Sequence, residues 1–294
     1  MGELMERNWV KRTDELIDKA LAEDLGTGDL TTDAIVPANL NSTAFLFNKA
    51  PGILAGIDVF KKVFHHIDPD LEIIEHCKDG CKITNGMKIA EITGSVSSIL
   101  KGERTALNFL GRMSGIATKT AQVVEIIDGC HAKILDTRKT IPTMRHLDKY
   151  SVRIGGGSNH RYGLFDMVLI KDNHIAIAGT IRIAVDSVMS SLKDNKDIKV
   201  EVECQSYDEV LEAVYTPVDI IMLDNMDLSE IVRSTEAIRD ASVSNGKKIL
   251  VEVSGNITSG NIKEIADTGV DYISVGSLTH SVDNHDFTLL FDEL

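Results

Sequence analysis

The chain has few cysteines, no apolar run of membrane-spanning length, no glycine signature for nucleotides and no excess of positive charge. Each absence excludes something. A membrane helix needs roughly 20 consecutive apolar residues, and no stretch approaches that. The opening MGELMERNWVKRTDELIDKALAEDL is charged throughout and holds no signal-peptide core, so the cytoplasm is the expected compartment and no membrane partner is expected. A formal net charge of -14 argues against nucleic acid as a partner, because phosphate backbones demand an extended basic face. No G-x-G-x-x-G or G-x-x-x-x-G-K-[ST] follows a strand pattern, which excludes conventional dinucleotide and P-loop binding. Of the four cysteines, Cys77 and Cys81 are four apart, and Cys130 and Cys204 are isolated. His65, His66 and His76 lie near the first pair, but the C-x-x-C spacing of a zinc site is missing, so free, mostly buried thiols are expected.

With 294 residues, 43% hydrophobic and 26% charged, the chain can bury one large core or a barrel plus a smaller domain. Within this acidic chain, residues 136–174 stand apart. They hold seven Lys and Arg (Arg138, Lys139, Arg145, Lys149, Arg153, Arg161, Lys171) against four Asp, a net +3 that leaves -17 for the rest. His146, His160 and His174 sit among these bases. A solvated charged helix would mix both signs and carry no glycine run, yet Gly155-Gly156-Gly157 leads straight into Ser158-Asn159-His160-Arg161. Tight backbone beside fork-shaped donors suits small polyanions, phosphate or carboxylate. A basic surface loop is the bland alternative.

Apolar spacing predicts a helix over 8–25 (Val10, Leu16, Ile17, Leu21, Leu25), ended by Gly26-Thr27-Gly28, with Asp29, Thr31 and Thr32 as turn or capping chemistry. Residues 43–100 read as a small α+β unit: strands at 43–47, 52–55, 71–75, 82–83 and 88–92, a helix at 58–66, and a hairpin favoured by Asn85-Gly86. A long helix is expected from Ile99 to Ile127 with Leu107, Leu110, Met113 and Ala117 as its stripe, bent or weakened by Gly111 and Gly115.

After His131 the period switches. Six short strands rich in Ile, Val and Leu are expected at 132–135, 167–170, 198–202, 219–223, 249–253 and 272–275, with helices at 180–192, 206–215, 228–241 and 260–268. Repeated strand–helix units predict a parallel sheet with both faces covered, or closed as a barrel. Unusual polar residues fall at one end of all six: Arg138 and Lys139; Lys171, Asp172, Asn173 and His174; Glu203; Asp224 and Asn225; Ser254, Gly255 and Asn256; Gly276 and Ser277. An α/β barrel builds its active site at the C-terminal rim of its strands, so these residues favour a site over chance.

Several segments carry a resemblance. Asp136-Thr137-Arg138-Lys139-Thr140, Gly155-Gly156-Gly157, Asn159-His160-Arg161 and Ile170-Lys171-Asp172-Asn173-His174 resemble the quinolinate phosphoribosyltransferases, also called carboxylating nicotinate-nucleotide pyrophosphorylases. The likeness runs nearly end to end, through Glu23-Asp24-Leu25-Gly26, Gly28-Asp29-Leu30-Thr31-Thr32, Glu103-Arg104-Thr105-Ala106-Leu107-Asn108, Val200-Glu201-Val202-Glu203, Leu223-Asp224-Asn225 and Val275-Gly276-Ser277. It implies a partly open parallel α/β barrel of seven strands with a smaller N-terminal α+β domain. The expected division is 1–115, joined by 278–294, and 116–277 as the barrel with the active site. It also implies phosphoribosyl transfer from phosphoribosyl diphosphate to quinolinate with decarboxylation, by a homodimer or an assembly of dimers.

The same resemblance assigns roles. Arg138, Arg161 and Arg104 of the partner subunit would hold the quinolinate carboxylates, with Thr137, Lys139 and His160 lining that pocket and Lys171 between pyridine and diphosphate. Read from its residue type alone, Arg104 is an ordinary surface arginine. Glu203 and Asp224 lie 21 residues apart on successive strand ends. Two carboxylates facing a diphosphate repel it unless a divalent ion intervenes, and magnesium favours a carboxylate or two plus phosphate oxygens. The resemblance likewise implies Mg2+. Lys139, Lys171, Glu203 and Asp224 are the expected catalytic set. The last two strand-end loops, Ser254-Gly255-Asn256 and Gly276-Ser277, are assigned the 5-phosphate, where barrels commonly hold one. Asn256 departs from the small residue of the family pattern.

Three rival readings stand beside this one. A molybdenum-transport-associated homologue shares the barrel motifs, but the set Arg104, Arg138, His160 and Arg161 favours quinolinate. A Schiff-base lyase using Lys171 needs an apolar setting that Asp172, Asn173 and His174 deny it. A non-catalytic binding protein leaves the paired carboxylates unexplained.

Overall fold

The change of texture along the sequence separates two compact units, Met1–Ala121 with Thr140–Gly156 and Ser277–Leu294, and Gln122–Lys139 with Gly157–Gly276. The computed structural model describes residues 2–193, 195 and 197–291, without the side chains of residues 2–8. The ends of the two segments expected to join in the first domain, residue 1 and residues 292–294, lie outside the described residues.

In the first unit, helix α1 (Gly2–Leu25) buries Ile17 and Leu21, while Val10 of the expected stripe is exposed. Asp29 caps a short helix absent from the sequence reading, α2 (Leu30–Ile35): its carboxylate accepts from the Thr31 and Thr32 N–H groups at 3.1 and 3.0 Å. Strand β1 (Asn41–Asn48) is followed by β2 (Gly52–Ile53), α3 (Ile57–Ile67), β3 (Glu72–Glu75), β4 (Lys82–Ile83) and β5 (Lys88–Ser95). β5 runs antiparallel between β1 and β3, and β4 pairs with β2. The expected hairpin is therefore wrong. Asn85-Gly86 does form a turn, with Gly86 at φ 77, but β4 and β5 on either side of it join different sheets.

Helix α4 (Val96–Ile126) is a single element, and Leu107, Leu110, Met113 and Ala117 are all buried. Gly111 and Gly115 do not break it. Chain 282–285 runs so close that a Cβ at either glycine would collide with the carbonyl of His285 or Asp283. Helix α5 (Arg145–Ile154), which the barrel was expected to contain, belongs to this unit. Arg112 of α4 grips Asp148 of α5 through Nε and one terminal nitrogen at 2.9 and 2.8 Å. Asp148 is 1% exposed and Arg112 12%. Removing one member of such a pair leaves a buried charge, so Arg112→Ala should destabilise the protein by about 3–5 kcal/mol. A urea midpoint identical to that of the wild type would refute this.

The second unit is the parallel sheet. Its strands are β6 (Lys133–Leu135), β7 (Val168–Ile170), β8 (Val200–Cys204), β9 (Ile220–Asp224), β10 (Leu250–Ser254) and β11 (Tyr272–Ser274), all six within a few residues of expectation. Helices α6 (Asp172–Ala178), α7 (Ile181–Leu192), α8 (Tyr207–Ala213), α9 (Leu228–Asn245) and α10 (Ile262–Asp267) connect them. The order β6-β11-β10-β9-β8-β7 is the cyclic order of a barrel with its seam between β6 and β7. The seventh strand implied by the resemblance is reduced to a single bridge, Leu135 with Ser158, on the free edge of β6. Helix α11 (Ser277–His280) and strand β12 (Phe287–Phe291) return to the first unit, where β12 completes the sheet β12-β1-β5-β3. No single helix among the described residues is long and apolar enough to cross a membrane.

Candidate active site

Side chains alternate along a strand, so the register decides which residues share a face. Leu169 pairs with Glu201, Glu203 with Met222, Met222 with Glu252, Asp224 with Ser254, and Glu252 with Tyr272. Glu201, Glu203, Asp224, Glu252 and Ser254 therefore lie on one face of the sheet. Glu203 and Asp224 are on adjacent strands of that face, with Asp224 nearer the C-terminal rim. Lys171 follows β7, and its Nζ donates to Glu203 Oε2 at 2.6 Å. Glu203 is 5% exposed and Lys171 is half-buried.

The strand-end loops are tied to one another by amides. Asn225 Nδ2 donates to Asp224 Oδ2 at 2.7 Å, Asn256 Nδ2 donates to Asn225 Oδ1 at 3.0 Å, and the Asn225 N–H donates to the Ser254 carbonyl at 3.0 Å. Asn225 and Asn256 both hold positive φ, at 57 and 51, a conformation asparagine tolerates better than most residues. Gly255 between the two strand ends has φ 89, and a Cβ there would meet the Asn225 amide. The departure at Asn256 thus has a structural use: its amide fastens the β10 loop to the β9 loop.

At the seam, buried Asp136 ends β6 and organises the Asn159-His160-Arg161 turn. Its Oδ1 accepts from the His160 N–H at 2.9 Å and its Oδ2 from Asn159 Nδ2 at 2.5 Å. The Lys139 N–H donates to Thr137 Oγ1 at 3.0 Å, leaving Arg138 and Lys139 exposed beyond the strand. Arg161 is partly buried, with one guanidinium nitrogen donating to the Met167 carbonyl at 3.1 Å. Burial and the nearby positive charge of Arg138 lower its pKa, so two arginines of the expected carboxylate grip feel each other's charge.

Two residues of the sheet interior escaped the sequence reading as site residues. Glu201 and Glu252 are fully buried, and His160 Nε2 lies 3.1 Å from Glu201 Oε2 and 3.5 Å from Glu252 Oε1. Ser274 Oγ donates to Glu252 Oε1 at 2.5 Å. Burial opposes charge on His160, while the two carboxylates pull its pKa upward. Burial and the negative charge of Glu252 raise that of Glu201 to about 7. The sequence signal was a glutamate flanked by valines inside a parallel strand, in Val200-Glu201-Val202 and in Val251-Glu252-Val253.

Arg104 is exposed on α4, and Ser277 opens α11; both belong to the first unit, and the remaining expected site residues to the second. Cys77 and Cys204 are buried and all four cysteines are free, and among the described residues no three-ligand cluster forms around Cys77 and Cys81. A hollow of about 710 Å³ lined by His131, Arg239, Lys248 and Asp271 lies where the strands begin, the opposite end from barrel active sites.

A parallel barrel with cations and oxygen donors gathered at the C-terminal strand ends defines an α/β enzyme for small anionic substrates. The family follows from comparison. Residues 29–114 match the model of the quinolinate phosphoribosyl transferase N-terminal domain and residues 116–290 that of its C-terminal domain. A mitochondrial quinolinate phosphoribosyltransferase [decarboxylating] of Nicotiana tabacum is 43% identical, over 95% of this chain and 82% of that protein. A probable nicotinate-nucleotide pyrophosphorylase [carboxylating] of Bacillus subtilis is 39% identical, over 94% and 92%. The solved structure of the nicotinate-nucleotide pyrophosphorylase from Francisella tularensis superposes with a TM-score of 0.89 at 40% identity, covering 96% of each chain. The chain belongs to the quinolinate phosphoribosyltransferase family.

Proposed function

We propose that this protein transfers the phosphoribosyl group of phosphoribosyl diphosphate to quinolinate and releases carbon dioxide, giving nicotinate mononucleotide for NAD biosynthesis. The observation that carries this reading is the pairing of Lys171 with Glu203 on the sheet face that also presents Asp224. Quinolinate carries two adjacent carboxylates and its co-substrate a phosphate and a diphosphate. Only dense positive charge makes two polyanions tolerable in one water-poor cavity. We assign Arg138, Arg161 and the partner subunit's Arg104 to the carboxylates, Thr137, Lys139 and His160 to the same pocket, and Ser254, Gly255, Asn256, Gly276 and Ser277 to the 5-phosphate.

The pyridine nitrogen forms a bond to the ribose anomeric carbon as diphosphate departs, through a transition state with oxocarbenium character. Basic residues stabilise the departing charge, with Lys171 and Lys139 nearest the reacting groups in our assignment. The 2-carboxylate then leaves as carbon dioxide. Its electron pair stays on the ring carbon beside the pyridinium and takes a proton. No residue serves as a covalent nucleophile. The direct bond from Lys171 to Glu203 is also the reverse of the apolar setting a Schiff-base lysine needs.

Magnesium fits the donor set. Glu203 and Asp224 offer only oxygen and share one face at adjacent strand ends. They would hold the ion, which when bound neutralises diphosphate charge. We place the enzyme in the cytoplasm as a homodimer, with 1–115 and 278–294 as one functional domain and 116–277 as the other. Incubation with quinolinate, phosphoribosyl diphosphate and Mg2+ should yield nicotinate mononucleotide and carbon dioxide in equal amounts; absence of both refutes the assignment. Glu203→Gln and Asp224→Asn keep shape while removing charge, and each should raise the Mg2+ concentration for half-maximal rate by about tenfold or more. Full activity of chelator-treated enzyme would defeat the argument for the metal.

A further inference from the structure

Glu201 and Glu252 sit where a parallel barrel ordinarily places Val, Ile or Leu. Strand β8 is buried along its whole length, and both carboxylates have no exposed surface. A buried carboxylate weakens a fold unless it is fully paired. These are not. Both Glu201 oxygens and Glu252 Oε2 are buried and have no hydrogen bond of good geometry among the described residues, so Glu201 meets His160 at ion-pair distance, 3.1 Å. Stability is therefore a poor account of why two acids stand there, and what they face is His160.

The ring of His160 has two ends with different tasks. Nδ1 accepts the Arg161 main-chain N–H at 2.7 Å. Nε2 lies against the two carboxylates. A nitrogen that accepts carries no proton, so the ring proton sits on Nε2, on the side of the two carboxylates. A second proton on Nδ1 would face the Arg161 N–H, donor against donor. The carboxylate pull that favours an imidazolium is thus opposed at Nδ1, and the geometry selects the neutral Nε2–H ring. The same tautomer weighs against a metal centre. The ligand atoms of His160, Glu201 and Glu252 lie within 4.8 Å of one another, but Nε2 has no lone pair to offer while it holds the proton.

The consequence reaches Arg161. The Asn159-His160-Arg161 turn is held from β6 through Asp136, from β8 through Glu201, and from β10 and β11 through Glu252 and Ser274. The imidazole links the interior acids to the main chain of the arginine.

We propose that Glu201 and Glu252 are positioning residues for substrate recognition: by fixing the His160 ring they aim Arg161, and so set the enzyme's grip on a pyridine that carries two adjacent carboxylates. This rests on the reading that Arg161 holds a quinolinate carboxylate. It predicts an effect on one substrate and not the other, which a general packing defect would not give.

The test uses Glu201→Leu and Glu252→Leu, which remove the acceptors, and Glu201→Gln and Glu252→Gln, which retain an acceptor oxygen. The Leu variants should raise KM for quinolinate by about tenfold or more and leave KM for phosphoribosyl diphosphate within about twofold. The Gln variants should recover most of that loss. In the full-length wild type, nitrogen-15 spectra should show His160 as the neutral Nε2–H tautomer, and in the Leu variants a mixture. Folded Leu variants with unchanged quinolinate KM overturn the proposal, as do equal rises in both KM values. If the Leu variants do not fold, the wild-type spectrum still decides: a protonated Nδ1 breaks the link to Arg161 and overturns the proposal. A wild type that does not turn over quinolinate overturns the functional reading itself, whereas normal turnover with the wrong tautomer overturns this inference alone.

Discussion

Arg161→Ala should lower kcat/KM for quinolinate by about a thousandfold, and Arg138→Ala by less. Truncating one partner of a desolvated, hydrogen-bonded charge pair costs about 2–5 kcal/mol, and each 1.4 kcal/mol is about tenfold. The two arginines differ in setting. Arg161 is partly buried and anchored on the Met167 carbonyl, so its guanidinium is pre-organised and its loss leaves a substrate carboxylate in a water-poor place. Arg138 is exposed beyond β6, where water can replace part of what it supplies. The same donors set specificity. Nicotinate lacks one carboxylate and would leave a guanidinium unpaired, and sites built to bond a polar group reject analogues lacking it by about 10⁴ or more. Measuring kcat/KM for both acids with wild type and both variants tests this. Equal turnover of nicotinate and quinolinate by the wild type would end the carboxylate assignment.

The parallel strands are legible in the sequence because each is a short run of Ile, Val and Leu with a polar end, and burial on both faces leaves no room for other patterns. Lys171, Glu203, Asp224 and Ser254 follow from that alone, since the end of a strand is easy to find once the strand is. Three features are not legible. Helix α5 carries Arg145, His146, Asp148, Lys149 and Arg153, which reads as a basic loop. Only the pair with Arg112, remote in sequence, shows why Asp148 is buried. The seventh strand is a single bridge at Ser158, too short to leave any period. Glu201 and Glu252 read as ordinary strand residues, because their partner, His160, comes from a turn some forty to ninety positions away. Local pattern gives elements, while pairing between distant polar residues needs the register of the sheet.

Co-expression of Arg104→Ala with Lys171→Ala should restore activity that neither variant has alone. Arg104 is exposed on α4, in the first unit, although Leu107 one turn on is buried. In the assignment proposed above, Arg104 grips substrate in the partner subunit's site. Lys171 belongs to the second unit and pairs with Glu203 of the same chain, and in that assignment it serves its own chain's site. Each variant by itself places one defect in every site and should be nearly inactive. Equal co-expression gives hybrids in about half of the dimers. Two-fold symmetry then puts both defects in one site of a hybrid and none in the other, so the mixture should recover about one quarter of wild-type activity. If Arg104 served its own chain, every site would keep one defect and nothing would recover. Specific activity of the purified mixture, set against each variant alone, separates the two outcomes, and recovery in vitro after mixing the purified variants would further require that subunits exchange.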